Sequence, residues 1–211
     1  ATAAAWTWKN SPAAWPRRCS LRAESPEENA AWVDVDLPQS AREVSAYLRD
    51  IERLLRLNSH LEIRRFAAVA GGYEIEALNE MNGLAVSGRL TFRENGTERF
   101  TLDYERGLKL ATEVSVKPLG AGARLHIRET YRQPESDAEL EQVDRSLTPW
   151  GQAIRRHFLG LARWGRLPAY RWWRERVWLA MRPRERRLTR LIVWATAIEF
   201  ILFIAAVWIF L

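Results

Sequence analysis

The sequence predicts an α+β fold in which an antiparallel sheet of about six or seven strands packs on a long C-terminal helix. Short segments between residues 31 and 131 alternate apolar and polar side chains, as strands with one wet face do. An apolar stripe at helical spacing follows between residues 140 and 161. Residues 191–211 then form an almost uninterrupted apolar run, which predicts a transmembrane helix after the domain.

The first elements are a strand and a helix. Residues 31–37 alternate apolar and acidic side chains, which predicts a strand. Ser40 and Glu43 have the spacing of a capping box, so we expect one helix from Ser40 to about Asn58. Its apolar face comprises Val44, Leu48, Ile51 and Leu55.

An antiparallel meander is predicted next. Asn95-Gly96 is the strongest hairpin turn of the chain. The alternating segments that surround this turn are 73–76, 84–93, 99–105, 109–117 and 124–131.

A second capping box, Ser136 and Glu139, predicts the start of the long helix, and Pro149 is expected to kink it. The apolar stripe of this helix is expected to cover the apolar face of the sheet. It comprises Leu140, Val143, Leu147, Trp150, Ile154, Phe158 and Leu161.

Residues 31–164 resemble the helix-grip fold of the START-like (SRPBCC) superfamily, which includes polyketide cyclase-like proteins and lipid carriers. The resemblance lies in the opening AWVDVDLPQSAREVSAYLRDIERLLRLN, the meander from Tyr73 to Tyr131 and the helix from Asp137 to Trp164. It is one of element order, without a catalytic motif. It implies a curved sheet wrapped around the last helix, with an apolar ligand held between them.

The resemblance implies a ligand site on the apolar strand face and the inner face of the last helix, where Gly88 and Thr112 leave room. A lipid or a quinone would suit such a pocket; alternatively, the same side chains simply fill the core. The candidates are Tyr73, Val86, Leu90, Phe92, Phe100, Leu102, Tyr104, Val114, Ile127, Tyr131, Trp150, Ile154, His157 and Phe158, together with Ile75, Leu110 and Leu125.

The sequence offers little for catalysis. It contains no recognisable nucleophile–histidine–acid set, paired acidic site or glycine-rich phosphate loop. One cysteine, Cys19, and three histidines provide no metal-ligand spacing, so we expect neither a metal nor a cofactor. An enzyme of the cyclase or hydratase kind that acts on a lipophilic substrate remains the alternative.

The positive charge is concentrated before the apolar run. Residues 163–190 contain ten arginines and two glutamates, whereas residues 1–162 are close to neutral. This distribution favours anionic lipid headgroups, not nucleic acid, as the partner of the basic region.

Residues 165–190 are predicted to form an interfacial segment, because tryptophan prefers the headgroup level and arginine can reach phosphates. We expect a helix from about Tyr170 to Met181 and a break at Pro183; a solvated basic linker is the alternative. Arginines beside a span stay cytoplasmic, which would place the domain there. The interface candidates are Trp164, Arg171, Trp172, Trp173, Arg174, Trp178, Arg186 and Arg187.

The apolar run, residues 191–211, is roughly 30 Å long as a helix, which matches a bilayer better than a buried core helix. Glu199 lies near its middle and would be costly in lipid. Ala195, Thr196 and Ala206 share its face, which predicts contact with another transmembrane helix. The alternative is a protonated glutamate that faces lipid.

Residues 1–30, with three scattered tryptophans and no apolar signal-peptide core, are expected to form an extended or flexible arm before a domain at 31–164. The leading hypothesis is a non-catalytic protein of the inner (cytoplasmic) membrane, with its domain on the cytoplasmic side. It would be a subunit or accessory of an integral membrane complex and would hold an apolar ligand. A structural subunit with a filled core is a further alternative.

Overall fold

The computed structural model describes residues 29–133 and 146–210, and its centre is a seven-stranded antiparallel sheet. The strands are β1 (Asn29–Leu37), β2 (Leu61–Val69), β3 (Gly72–Asn79), β4 (Leu84–Glu94), β5 (Arg99–Tyr104), β6 (Lys109–Leu119) and β7 (Gly122–Tyr131). Their order in the sheet is β1-β7-β6-β5-β4-β3-β2, so β1 forms one edge beside β7. This sheet with helices against it confirms the predicted α+β helix-grip class.

Helices pack on one face of the sheet and extend beyond it. A π-helical turn, Trp173–Trp178, follows directly on the fourth helix. The α-helices are α1 (Ala41–Leu48), α2 (Ile51–Arg56), α3 (Leu147–Trp164), α4 (Pro168–Trp172) and α5 (Pro183–Phe210).

The predicted capping box is present at the start of α1, where the Ser40 hydroxyl accepts from the Glu43 amide and the Glu43 carboxylate accepts from the Ser40 amide. The single helix expected up to Asn58 is wrong, because the chain breaks after α1 and starts again as α2. Asp50 caps α2 by accepting from the Arg53 amide at 3.0 Å. A carboxylate that captures this amide favours a new helix start over continuation.

The strand β2 is absent from the sequence prediction. Its pairing with β3 shifts register between Ile63 and Arg65, which marks a bulge. A bulge breaks the two-residue alternation that identifies a strand, so the apolar residues on either side of it do not share one parity.

Helix α3 packs across the sheet and buries Trp150, Ile154 and Phe158. Gly151 allows a close approach to β1, since a Cβ there would lie 2.9 Å from Val33 Cγ2. Pro149 lies in the first turn of α3, where proline is tolerated, so the predicted kink is wrong. The second capping box and residues 137–145 of the predicted helix lie outside the described residues, as do residues 1–28.

Helix α5 is long and apolar enough to cross a bilayer, and its large apolar side chains from Leu188 to Phe203 are exposed. The predicted break falls just before Pro183, which begins the helix instead of interrupting it. Proline is favoured at such a position because its fixed φ suits the first turn and the amide that it lacks would have no intrahelical partner.

Candidate functional site

A cavity of about 590 Å³ lies between the sheet and the end of α2. Only Leu90–Glu94 of β4 pair with β5, so the first half of β4 is hydrogen-bonded on one side only. Exposed lining residues on β4 and in the loop after β5 show that the cavity opens to solvent at this gap. The lining is Leu55, Asn58, Leu61, Ile75, Asn79, Asn82, Leu84, Ala85, Val86, Ser87, Tyr104, Arg106, Gly107, Leu108, Lys109, Tyr131, Arg132 and Trp150.

Five of the seventeen ligand-site candidates line this cavity: Ile75, Val86, Tyr104, Tyr131 and Trp150. The other twelve lie elsewhere, and most of them are buried in the hydrophobic core or packed against it. The buried members of this set pack within the core and do not face the cavity. The twelve are Tyr73, Leu90, Phe92, Phe100, Leu102, Leu110, Val114, Leu125, Ile127, Ile154, His157 and Phe158.

A buried ion pair lies at the cavity wall. Lys109 Nζ is 2.6 Å from Glu129 Oε1, and only 1% of the Glu129 side chain is exposed. The Tyr131 hydroxyl donates to the other carboxylate oxygen, and the Tyr104 hydroxyl hydrogen-bonds Thr112 at 3.1 Å. The lysine ammonium also lies within 6 Å of both tyrosine rings, where cation–π attraction favours the charge.

Neither partner of this pair was predicted from the sequence, for different reasons. Glu129 is two residues from both Ile127 and Tyr131, so in a regular strand its side chain lies on the same, inward face of β7. Alternation along the strand therefore predicts an inward carboxylate. Lys109 has no such signal. The β6–β7 register shifts between Lys109 and Ala111, and this bulge turns Leu110 outward and Lys109 inward. The predicted inward position of Leu110 is therefore wrong.

The cavity is more polar than the sequence suggested, and its charged lining is cationic. Arg106, Lys109 and Arg132 line it, and no acidic residue does so among the described residues. Leu55, Ile75 and Trp150 form an apolar wall at its inner side. Such a space can hold an apolar chain within and a negative group at the mouth.

His157 belongs to a separate buried cluster on α3. Its Nδ1 accepts from Arg174 Nε at 3.2 Å, and its ring lies 5.1 Å from that of Tyr47. Burial, with Arg174 and Arg53 nearby, lowers the pKa of His157 to about 3. Because Arg174 donates to Nδ1, the neutral ring carries its proton on Nε2, which has no hydrogen-bond partner among the described residues. Burial likewise raises the pKa of the Tyr47 hydroxyl.

Two residues predicted for the membrane interface are buried in the protein. Trp178 lies in the interior beside Trp173. The Arg186 guanidinium donates to the backbone carbonyls of Arg56, Leu179 and Met181, so it binds protein backbone instead of headgroups. Burial lowers the pKa of Arg186 to about 10. Sequence periodicity carries no signal for such tertiary contacts.

The remaining interface candidates differ in what they contact. Trp164, Trp172 and Trp173 are exposed, as the prediction requires. Arg171 pairs with Glu175 at 3.2 Å, and Arg174 donates a hydrogen bond to His157. Arg187 and Arg184 contact the carboxylate of Glu80, and Arg182 lies 3.7 Å from that of Glu62.

The predicted transmembrane contact face lies on α5. Ala195, Thr196, Glu199 and Ala206 are all exposed on this helix.

No group of three histidine, cysteine, aspartate or glutamate side chains within residues 29–133 and 146–210 is placed to hold a metal ion.

Solved structures share this fold. KanY matches with a TM-score of 0.50 at 15% identity, covering 63% of this chain and 99% of that one. A START superfamily protein from Mycobacterium smegmatis matches at 0.47 and 14% identity over 63% and 98% of the two chains. A Deinococcus radiodurans protein matches at 0.47 and 20% identity over 64% and 100%. No protein-family model and no curated protein matches the sequence.

Proposed function

We propose that this protein is a membrane-anchored, non-catalytic member of the START-like fold class that holds an apolar ligand, such as a lipid or a quinone. The cavity of about 590 Å³ beside a helix able to cross a bilayer carries this proposal. Its volume falls within the roughly 300–1,000 Å³ of small-molecule sites. A cavity of this size argues against a purely structural domain with a filled core.

The anchor would be α5, with the domain on the cytoplasmic side of the inner membrane. The exposed arginines before the apolar stretch, among them Arg176, Arg182 and Arg190, favour that orientation. Exposed Trp164 and Trp172 would lie at headgroup level.

An enzymatic role has one supporting observation, the convergence of Lys109, Tyr104 and Tyr131 at the cavity. However, Lys109 is held by Glu129, and His157 lies outside the cavity with its pKa far below the usual range. Ligand binding therefore accounts for the site better than acid–base catalysis does.

Filling the cavity should abolish ligand retention. In Val86→Trp the indole would occupy the space beside Tyr104, whereas Thr91→Trp adds the same group to the outer face of the same strand. We expect native mass spectrometry of the full chain from mild detergent to show a bound small molecule in the wild type and Thr91→Trp. Occupancy in Val86→Trp should fall about tenfold or more, which corresponds to at least 1.4 kcal/mol of binding free energy. Equal occupancy in both tryptophan variants would contradict ligand binding in this cavity.

A second part of the proposal is that α5 contacts a transmembrane helix of a larger complex. A carboxylate in the bilayer centre is stabilised by a polar neighbour, and Ala195 and Thr196 on the same face allow close packing.

Glu199→Leu tests this contact. We expect the wild type to copurify in mild detergent with an integral membrane protein, and Glu199→Leu to retain a several-fold smaller amount, since the polar contact is worth roughly 0.6–2 kcal/mol. Val193→Leu, an apolar exchange elsewhere on the exposed helix, serves as the control. A wild type that runs as the same monomer as Glu199→Leu would refute the contact.

A further inference from the structure

The start of α5 is fastened to the rim of the cavity. Arg184 and Arg187 pair with the carboxylate of Glu80, which lies in the turn between β3 and β4. Arg186 donates to the carbonyl of Arg56 at 2.7 Å, at the end of α2. Both contacts fix the helix to the body of the domain at defined points.

These contact points adjoin the cavity lining. Asn79 and Asn82 flank Glu80 within one turn, and both line the cavity. Leu55, which precedes Arg56, lines it as well. Two sides of the rim are therefore held against the first turns of α5.

The same contacts set the height of the rim relative to a bilayer. Leu191, where the apolar run begins, follows Arg187 by four residues, or about 6 Å along the helix axis. The turn that carries Glu80 would therefore lie in the headgroup layer when α5 spans the membrane. Met81, in the same turn, is 44% exposed, which suits an apolar side chain that contacts lipid.

The charged side chains of the described cavity lining are basic. Arg106 is exposed at the gap beside β4, and its guanidinium makes no salt bridge or side-chain hydrogen bond within the described part of the chain. Arg132 and Lys109, the latter paired with Glu129, line the cavity as well. An acidic headgroup could form an ion pair with Arg106 while the attached apolar chain packs against the apolar wall of the cavity.

We propose that the cavity takes up an anionic single-chain amphiphile directly from the leaflet next to the start of α5, with Arg106 binding its acidic group. This inference rests on the proposed ligand-binding function and adds the chemical class of the ligand and its route.

The position of the rim is tested in the full chain carrying Cys19→Ser and a single new cysteine, reconstituted in vesicles of phosphatidylcholine and phosphatidylglycerol. Met81→Cys places a nitrobenzoxadiazole label on the rim. Thr97→Cys places it beyond the opposite end of β4, roughly 35 Å away along the strand. A headgroup spin-labelled lipid should quench the label at 81 and leave the label at 97 unchanged. Equal quenching at both positions, or none at 81, would overturn uptake from the leaflet.

The ligand class is tested with cis-parinaric acid and its uncharged methyl ester, titrated on the full chain in micelles of a non-ionic detergent. Val86→Trp provides the background from probe in the micelle. We expect the acid to bind about fivefold or more tightly than the ester, and Arg106→Gln to weaken binding of the acid by a similar factor without affecting the ester. Arg99→Gln, an exposed arginine at the far end of the sheet, should change neither.

The outcomes separate the two proposals. Equal binding of acid and ester, unaffected by Arg106→Gln, would overturn the anionic class while leaving ligand binding intact. No binding of either probe above the Val86→Trp background would refute the proposed function itself.

Discussion

Acidification from pH 7 to pH 4 should destabilise the wild-type protein by about 3 kcal/mol more than it destabilises His157→Gln. The cause is the buried histidine of α3, whose pKa is lowered to about 3 chiefly by burial and then by the positive charge of Arg174. The usual pKa of 6.5 applies once the chain unfolds.

The sign of this effect follows from proton uptake. Above pH 6.5 the ring is neutral in both states and contributes no pH dependence. Between pH 6.5 and about 3 the unfolded chain binds a proton that the folded chain does not, so the free energy of unfolding falls by roughly 1.4 kcal/mol per pH unit. The full loss, about 5 kcal/mol, is reached near pH 3.

Urea unfolding of the full chain in detergent micelles, followed by tryptophan fluorescence at several pH values, measures this difference. His157→Gln keeps an amide that can face Arg174 but cannot titrate. We expect its free energy of unfolding to be about 1–3 kcal/mol below that of the wild type at pH 7. At pH 4 the two free energies should be about equal, or that of His157→Gln should be the larger.

Tyr47→Phe is the matched control, because it removes a hydroxyl from the ring that packs on His157 and leaves the histidine in place. Its stability should follow the pH dependence of the wild type. If His157→Gln and the wild type lose stability in parallel between pH 7 and pH 4, His157 does not remain neutral in the folded state.

Elements with an unbroken local pattern could be predicted from the sequence. Strands β3 to β7 alternate over most of their length, and the Ser40 capping box depends on residues only three positions apart. The bulges in β2 and β6 could not be predicted, because a register shift depends on the neighbouring strand and not on local composition.

The residues of the candidate site fall into the same two groups, those that a local pattern predicts and those that depend on distant contacts. Glu129 could have been assigned to the inner face by counting along β7, whereas Lys109 reaches that face only through the bulge at Leu110. Burial of Arg186 depends on carbonyls as distant in sequence as that of Arg56, and no periodicity encodes such a contact. Local alternation thus identified the cavity wall in part and missed the groups that give the cavity its charge.

Replacing Lys109 by methionine should lower the free energy of unfolding by about 3–5 kcal/mol at pH 7. Lys109→Met removes the cation 2.6 Å from Glu129 and leaves a buried carboxylate with the Tyr131 hydroxyl as its remaining side-chain partner. A buried charge that loses its partner retains its full desolvation cost, whereas an apolar pair of similar volume has none.

The double variant Lys109→Met with Glu129→Leu should therefore recover most of the loss. The urea midpoints of the wild type, Lys109→Met, Glu129→Leu and the double variant form a complete double-mutant cycle. If Lys109→Met lowers the free energy of unfolding by less than about 1 kcal/mol, another group compensates the Glu129 carboxylate.

The double variant also separates two roles of the pair. If the pair serves only to bury a carboxylate in the wall, the double variant should fold and retain its bound small molecule, because Val86, Tyr104 and Trp150 still line the cavity. Loss of the ligand from a stable double variant would instead show that the lysine contacts the ligand, which would strengthen the case for chemistry at this wall.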